Sequence, residues 1–408
     1  MTTPNRSGRR VARLLRAEGI AAHRVTFLEL FFDLVYVFAV TQLSSGLLHD
    51  LTLGGAVHTL MLLLAVWWAW VYTAWATNWL DPEQRGVRLL LIGLMGLALV
   101  MAAALPDAFD ERGLLFAVAY ATFQVGRTAF VAYAFRHEPT RARNFQRILT
   151  WNAAAGLIWI VGGLAEGSAR ELVWLAALAV DYAGPALRYW VPGFGRSDVS
   201  QWTVTGSHFA ERFKLFVILA LGESILVTGI SLSTLEETTS LVVTAFALAF
   251  VGSVALWWIY FDTAAEAGSA VMERARDPGR IARSAYTYFH LPIVAGIIVT
   301  AVADELMIVH PDTVADAATA ATLLGGPALF VAGHALYLRV TLGVVPWSRL
   351  AALAALLALV PLAGLLWSLA LGAAATLIVV LLAAWDTLAT PQPVTVSAVE
   401  SDAVEIGS

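Results

Sequence analysis

Glu29 and Asp33 stand four residues apart in Phe27-Leu-Glu-Leu-Phe-Phe-Asp-Leu-Val-Tyr-Val. On a helix that spacing puts both carboxylates on one face, about one turn apart. Like charges so close repel; a shared proton, a cation between them, or an arginine from another helix would relieve the repulsion. A second group is His208-Phe-Ala-Glu211-Arg212, followed by Leu221-Gly222-Glu223. His208, Glu211 and Arg212 share a face at i, i+3 and i+4, and Glu223 lies about three turns on. Glu29 and Asp33 are the natural partners for Arg212. A His–Glu pair at this spacing can ligate a metal in carboxylate helix bundles. Only one such pair is present, so neither a metal nor another cofactor is expected. A third set is Gln124, Arg127, Asp181, His334 and Asp386. Arg127 with Asp181, and His334 with Asp386, would form two neutralising pairs, and a His–carboxylate pair suits proton coupling. Asn152, Asp262 and His290 read as polar residues near helix ends.

The chain around these groups is strongly apolar. Of 408 residues, 59% are hydrophobic and 13% charged, with mean hydropathy +0.74. Soluble domains carry about 25% charged residues. Disorder needs the opposite composition. The absence of cysteine removes disulfide scaffolds, iron–sulfur clusters and Cys-based zinc sites. A net charge of −5, with a single lysine, argues against nucleic acid as a partner. What fits is an all-α polytopic membrane protein, with membrane lipids and an unidentified small molecule or ion as partners.

Runs of about 20 apolar residues, the length that crosses a bilayer core, are expected near 27–48, 57–79, 87–105, 113–135, 148–165, 171–191, 213–231, 241–261, 285–303, 321–340, 349–366 and 368–389. That makes about twelve spans, the last two parted by a turn at Trp367. The basic stretch 1–24 and the acidic stretch 391–408 read as tails, and the N-terminus does not resemble a cleaved signal peptide. Alternating the loops across the membrane puts 22 of the 25 Lys and Arg on one side, leaving only Arg112 and Arg170 opposite and Arg127 within a span. By the positive-inside rule both termini are cytoplasmic, in the bacterial inner membrane. The opposite loops, Pro106–Glu111, Leu235–Thr239 and Asp304–Asp316, are acidic or neutral.

Two six-span halves are expected, 25–195 and 196–390. Asp33 precedes Trp67-Trp68 by 34 residues, and Glu223 precedes Trp257-Trp258 by the same interval. Phe123-Gln-Val-Gly-Arg127 matches Phe330-Val-Ala-Gly-His334, and Asp181 matches Asp386. Six is even, so the halves would run parallel, as in one class of transporter. Of the 15 Trp, most fit interfacial belts, although a cavity lined by such rings would hold a cation or a lipid.

The motif Glu29-Leu-Phe-Phe-Asp33-Leu-Val-Tyr-Val resembles the opening signature of the bacterial low temperature requirement protein A family. His208-Phe-Ala-Glu211-Arg212-Phe, continuing into Leu221-Gly-Glu223-Ser-Ile-Leu, resembles that family's second signature. The resemblance spans about 25 to 390. It implies a multi-pass bacterial membrane protein, from a family named for growth in the cold, and marks Glu29, Asp33, His208, Glu211, Arg212 and Glu223 as motif residues. It supplies no substrate.

Three functions compete. The first is a proton- or cation-coupled transporter in which Glu29, Asp33, His208, Glu211, Arg212 and Glu223 bind substrate or ion, and Arg127, Asp181, His334 and Asp386 couple the halves. The second is a structural or sensory protein for cold or stress adaptation. The third, less favoured because no nucleophile motif or phosphate-binding loop is present, is a membrane enzyme acting on a lipid-linked substrate.

Overall fold

The structure is a computed structural model describing residues 14–16, 24–198, 204–264, 268, 271–272 and 278–389. Most of the 1–24 tail, all of 391–408, and Arg274, Arg276 and Asp277 lie outside these. The described residues form twelve long helices. These are α1 (Phe27–His49), α2 (Leu53–Trp79), α3 (Arg85–Ala104), α4 (Gly113–Ala134), α5 (Pro139–Leu164) and α6 (Gly167–Ala186). They continue as α7 (Gly206–Thr234), α8 (Ser240–Ile259), α9 (His290–Val309), α10 (Ala317–Thr341), α11 (Trp347–Leu359) and α12 (Ser368–Ala389). Eleven are long and apolar enough to cross a membrane, counting the short extensions of α9 and α11; α6, with Arg170, Glu171 and Asp181, is the exception. The turn before α12 falls at Trp367, where Ser368 N–H donates to the Thr313 carbonyl at 2.8 Å.

Three helices outrun their apolar stretches. α5 begins nine residues before the expected position, so Arg141, Arg143 and Arg147 ride on helix. The early start of α7 carries His208 to Arg212. α9 continues past Asp304, where the apolar pattern predicts the start of a loop. An apolarity reading stops at the first polar residue; a helix stops only where its backbone bonds can be replaced.

Small residues set the closest helix crossing, as is usual where apolar burial offers no preference over lipid. A Cβ on Gly296 of α9 would lie 2.4 Å from the backbone nitrogen of Phe330 on α10, and one on Gly333 2.8 Å from that of Ile293. Contacts among the first six helices (α1–α2, α1–α3, α3–α4, α4–α5, α5–α6) recur in the second six as α7–α8, α7–α9, α9–α10, α10–α11 and α11–α12. The two sets meet where α1 touches α7 and α9. The Trp pairs do not share an environment, however. Trp67 and Trp68 are buried, whereas Trp257 and Trp258 are exposed on the helix surface.

π-helical turns interrupt the bundle at Tyr260–Ala264, after α8, and at Ala282–Tyr288, leading into α9. Such turns are rare and favour functional sites. His290 sits between them, fully buried, its Nε2 2.7 Å from the Tyr260 hydroxyl. Asn152 is also interior, donating to Thr128 Oγ1 at 2.8 Å. Asn152 lies well inside α5 and not near its end, whereas His290 does open α9 but is buried there.

Candidate functional site

The two sequence motifs meet at the start of α1, the end of α2 and the start of α7, all on the arginine-rich side of the bundle. Thr26 caps α1, and the Glu29 carboxylate closes the capping box by accepting from Thr26 N–H at 2.9 Å. Glu29 also accepts from Arg16 at 3.0 Å, His208 Nε2 at 3.0 Å and Arg212 at 3.2 Å. Arg212 reaches on to Asp33 at 2.5 Å, where Trp70 Nε1 donates to the same oxygen at 2.7 Å. The expected pairing of Arg212 with both acids is therefore present. Glu29, Asp33, His208 and Arg212 are all fully buried.

The contacts of His208 divide between its two ring nitrogens: Asn78 meets Nδ1, while Glu29 and the Arg16 guanidinium, each 3.0 Å away, meet Nε2. Asn78 accepts from Thr205 N–H through Oδ1 at 2.8 Å and donates to the Thr205 carbonyl through Nδ2 at 3.1 Å. Its amide therefore points N–H toward His208 Nδ1, 3.2 Å away, which must accept. On the Asn78 side this favours the ring proton on Nε2, toward Glu29, whereas the Arg16 N–H approaches the same nitrogen. Two carboxylates, two guanidiniums and a neutral imidazole sum to zero charge. The two guanidiniums thus offset the two carboxylates, the relief an arginine from another helix would supply. Asp33 Oδ2, Tyr36 Oη and Arg212 Nε keep hydrogen-bonding capacity without a partner among the described residues.

By sequence Arg16 belongs to a basic tail. Instead Leu15 bridges to Leu80, Arg16 N–H donates to the Trp79 carbonyl at 2.9 Å, and the Arg16 side chain donates to the Thr77 carbonyl at 2.8 Å. Nothing in its type or spacing separates Arg16 from the five other arginines of the tail. Arg16→Ala should cost roughly 1–3 kcal/mol, the loss of a charged hydrogen-bonding partner. Chemical denaturation of the full chain in nanodiscs measures it, and an unchanged midpoint would remove Arg16 from the cluster.

The other motif residues do not join. Glu211 is partly buried and faces Val25 N–H at 3.4 Å. Glu223 is eleven residues along α7 from Arg212, about 16 Å at the helical rise. It is buried, with Thr41 of α1 as its hydrogen-bonding neighbour.

The two expected pairs are bridged rather than direct. Arg127 donates to Gln124 Oε1 at 2.5 Å, Gln124 Nε2 to the Tyr120 hydroxyl at 2.9 Å, and that hydroxyl to Asp181 at 2.9 Å. Trp159 Nε1 donates to the same Asp181 oxygen at 3.0 Å. In the second six helices Arg349, counted as a loop charge, is buried between the expected partners. It lies 2.5 Å from Asp386 and 3.4 Å from His334 Nδ1. Arg170 is likewise no surface charge: it is buried and donates to the carbonyls of Ala165 and Ala108 at 3.0 and 3.2 Å.

Across α2 from the cluster lies a narrow chamber with a cavity volume of about 60 Å³. Trp68, Tyr72, Trp75, Trp79, Tyr189 and Tyr288 line it, and Arg127, Arg141 and Arg283 supply positive charge. The Arg127 guanidinium stands 5.2 Å from the Tyr72 ring centre and has no carboxylate within ion-pair distance among the described residues. Trp67 and Trp75 donate to the Thr287 carbonyl and hydroxyl, at 2.8 and 3.2 Å, and so hold the π-helical wall. Tyr189 enters after α6 with φ 48°, beside Arg188 at φ 54°. Consecutive non-glycine residues in the left-handed region are strained, and such strain clusters at binding sites. The surroundings enforce it: Tyr72 and Tyr189 share a hydrogen bond, and a Cβ on Gly184 would lie 2.7 Å from the Tyr189 ring. Burial pushes the Tyr189 hydroxyl well above its ordinary range, so it stays a neutral donor and acceptor. Of the three arginines in the wall, Arg141 pairs with Glu138 at 3.4 Å, which leaves Arg127 as the buried one without a carboxylate at ion-pair distance among the described residues.

Comparison with known proteins accords with the motifs. The family model for the Bacterial low temperature requirement A protein (LtrA) matches residues 24–384. The uncharacterized protein RA0937 of Rhizobium meliloti (strain 1021) is 42% identical over 377 residues, covering 92% of each chain. No solved structure matches the chain. With its paired signatures, its apolar helices and a match over most of its length, the chain belongs to the bacterial low temperature requirement A family and is a multi-pass membrane protein.

Proposed function

We propose that the protein is a carrier of the inner membrane, both termini cytoplasmic, that takes an amphipathic organic anion into the aromatic chamber. The observation that carries this reading is Arg127, buried in the chamber wall with no carboxylate partner among the described residues. A charge in the membrane is retained when it is used. The flat Trp and Tyr faces suit an apolar body, and the guanidiniums suit a carboxylate or phosphate head. In this reading the Glu29–Arg212 cluster is a latch joining α1, α2 and α7 beside the chamber, and coupling through Glu29 and Asp33 is set aside because their charge is already balanced. The recurring helix contacts support two parallel halves, 25–195 and 196–390, meeting at that latch.

The test is a ligand series on purified protein in nanodiscs, read by unfolding temperature and then by counterflow in proteoliposomes. Aromatic carboxylates and acyl phosphates should stabilise the protein saturably, while amines with the same bodies should not. Stabilisation by the amines alone would overturn the reading. Saturable binding without counterflow would remove transport and leave a receptor. A lipid phosphate shares the same chemistry; mass spectrometry of the native extract before and after delipidation separates it from a soluble anion.

A further inference from the structure

Asp304 lies on α9 five residues before its end at Val309. At 1.5 Å per residue it is about 8 Å inside the helix end that faces away from the arginine-rich side. The residue is 7% exposed, and its Oδ2 has no partner among the described residues. One turn earlier Thr300 is 6% exposed, and its hydroxyl likewise has none. A helical threonine ordinarily donates to the carbonyl four residues back. Thr73, Thr128 and Thr228 all do so here. Thr300 departs from that habit, and the spacing of four sets it on the same face as Asp304.

Both residues line a small cavity bounded by α8, α9, α10 and α12 that shares no lining residue with the aromatic chamber. Thr376 of α12 lines it too, with Gly252 and Gly372 in the wall. Pro327 of α10 is also in the wall. Having no N–H, it removes the donor that a helix would offer the carbonyl of Leu323, another lining residue. The polar atoms on offer are therefore oxygens: a carboxylate, two hydroxyls and a carbonyl. No Arg, Lys, His or side-chain amide lines the space.

An ionised carboxylate does not stay bare in such surroundings. Oxygen-only sets suit hard cations, and a single carboxylate balances a single positive charge. We propose that Asp304, Thr300, Thr376 and the Leu323 carbonyl form a binding site for a monovalent hard cation, Na⁺. It goes beyond the anion reading and does not depend on it, although a carrier holding both sites would have its coupling ion here.

The experiment uses the full chain in nanodiscs without any organic anion, so its failure is seen separately from that of the chamber. Unfolding temperature is followed against NaCl, with choline chloride keeping ionic strength constant, and binding is counted with ²²Na⁺. Wild type should be stabilised saturably by Na⁺ and not by choline. Asp304→Asn should lose both the stabilisation and the bound counts. Thr300→Val, which keeps the carboxylate and the shape, should fold and lower the Na⁺ affinity about tenfold, as expected for one lost ligand. Equal behaviour of wild type in the two salts would overturn the proposal, as would Na⁺ stabilisation that survives Asp304→Asn. Stabilisation that follows pH and ignores Na⁺ would also overturn it, because the site would then hold a proton.

Discussion

Replacing Arg212 with Met will destabilise the protein by about 3–5 kcal/mol, the cost of breaking a buried ion pair from one side. Arg212 is fully buried and is the guanidinium that spans both acids, 3.2 Å from Glu29 and 2.5 Å from Asp33. Without it Glu29 keeps Arg16, but Asp33 retains only the Trp70 indole. The damage should thus concentrate on Asp33, and Asp33→Asn in the Arg212→Met background should recover a measurable part. Arg212→Lys should rescue little, since one ammonium cannot reproduce a fork shared between two carboxylates and Thr77. Unfolding temperature and monodispersity in detergent give the measurement. An Arg212→Met protein as stable as wild type would show that these charges hold nothing together.

Arg127→Gln is expected to lower affinity for the stabilising anion by roughly 10- to 150-fold, the worth of a charged hydrogen bond of about 1.5–3 kcal/mol. The fold should change far less than with Arg212→Met. Arg127 neutralises no carboxylate directly, and a glutamine amide can still donate to the Gln124 oxygen or the Ala69 carbonyl. Trp75→Leu separates head from body: it should weaken binding while leaving the preference for anions over amines intact. Isothermal titration with the best ligand of the series distinguishes the two. Unchanged affinity in Arg127→Gln would place the ligand elsewhere.

The span pattern and the Glu29/Asp33–Arg212 partnership were legible in the sequence because each rests on a local signal, apolar runs for the one and spacing of four for the other. Depth was harder to read. Arg16 is partly buried and Arg349 and Asp304 are buried, yet each stands at or beyond the edge of an apolar run. A charge beyond an apolar run resembles any loop charge until the neighbouring helices are known to extend past it. The bridges through Gln124 and Tyr120 were illegible for another reason. Arg127 and Asp181 have the right signs to pair, and only helix spacing decides whether they touch. The chamber announced itself only as surplus tryptophan. What turned those rings into a site was Arg127 beside Tyr72, Arg141 from the extension of α5, and Tyr189 held in a strained turn.

The latch also imposes an order of events during synthesis. Glu29 and Asp33 enter the membrane with the first helix, but His208 and Arg212, which complete their surroundings, emerge from the ribosome about 180 residues later. At roughly 5–20 residues per second, α1 waits on the order of ten to thirty seconds with Arg16 as the nearest available countercharge. The arginine upstream of the first helix would then serve as a chaperone within the chain, holding Glu29 until the second half arrives. Removing the N-terminal segment should therefore lower the yield of inserted protein more than it lowers the stability of the molecules that succeed.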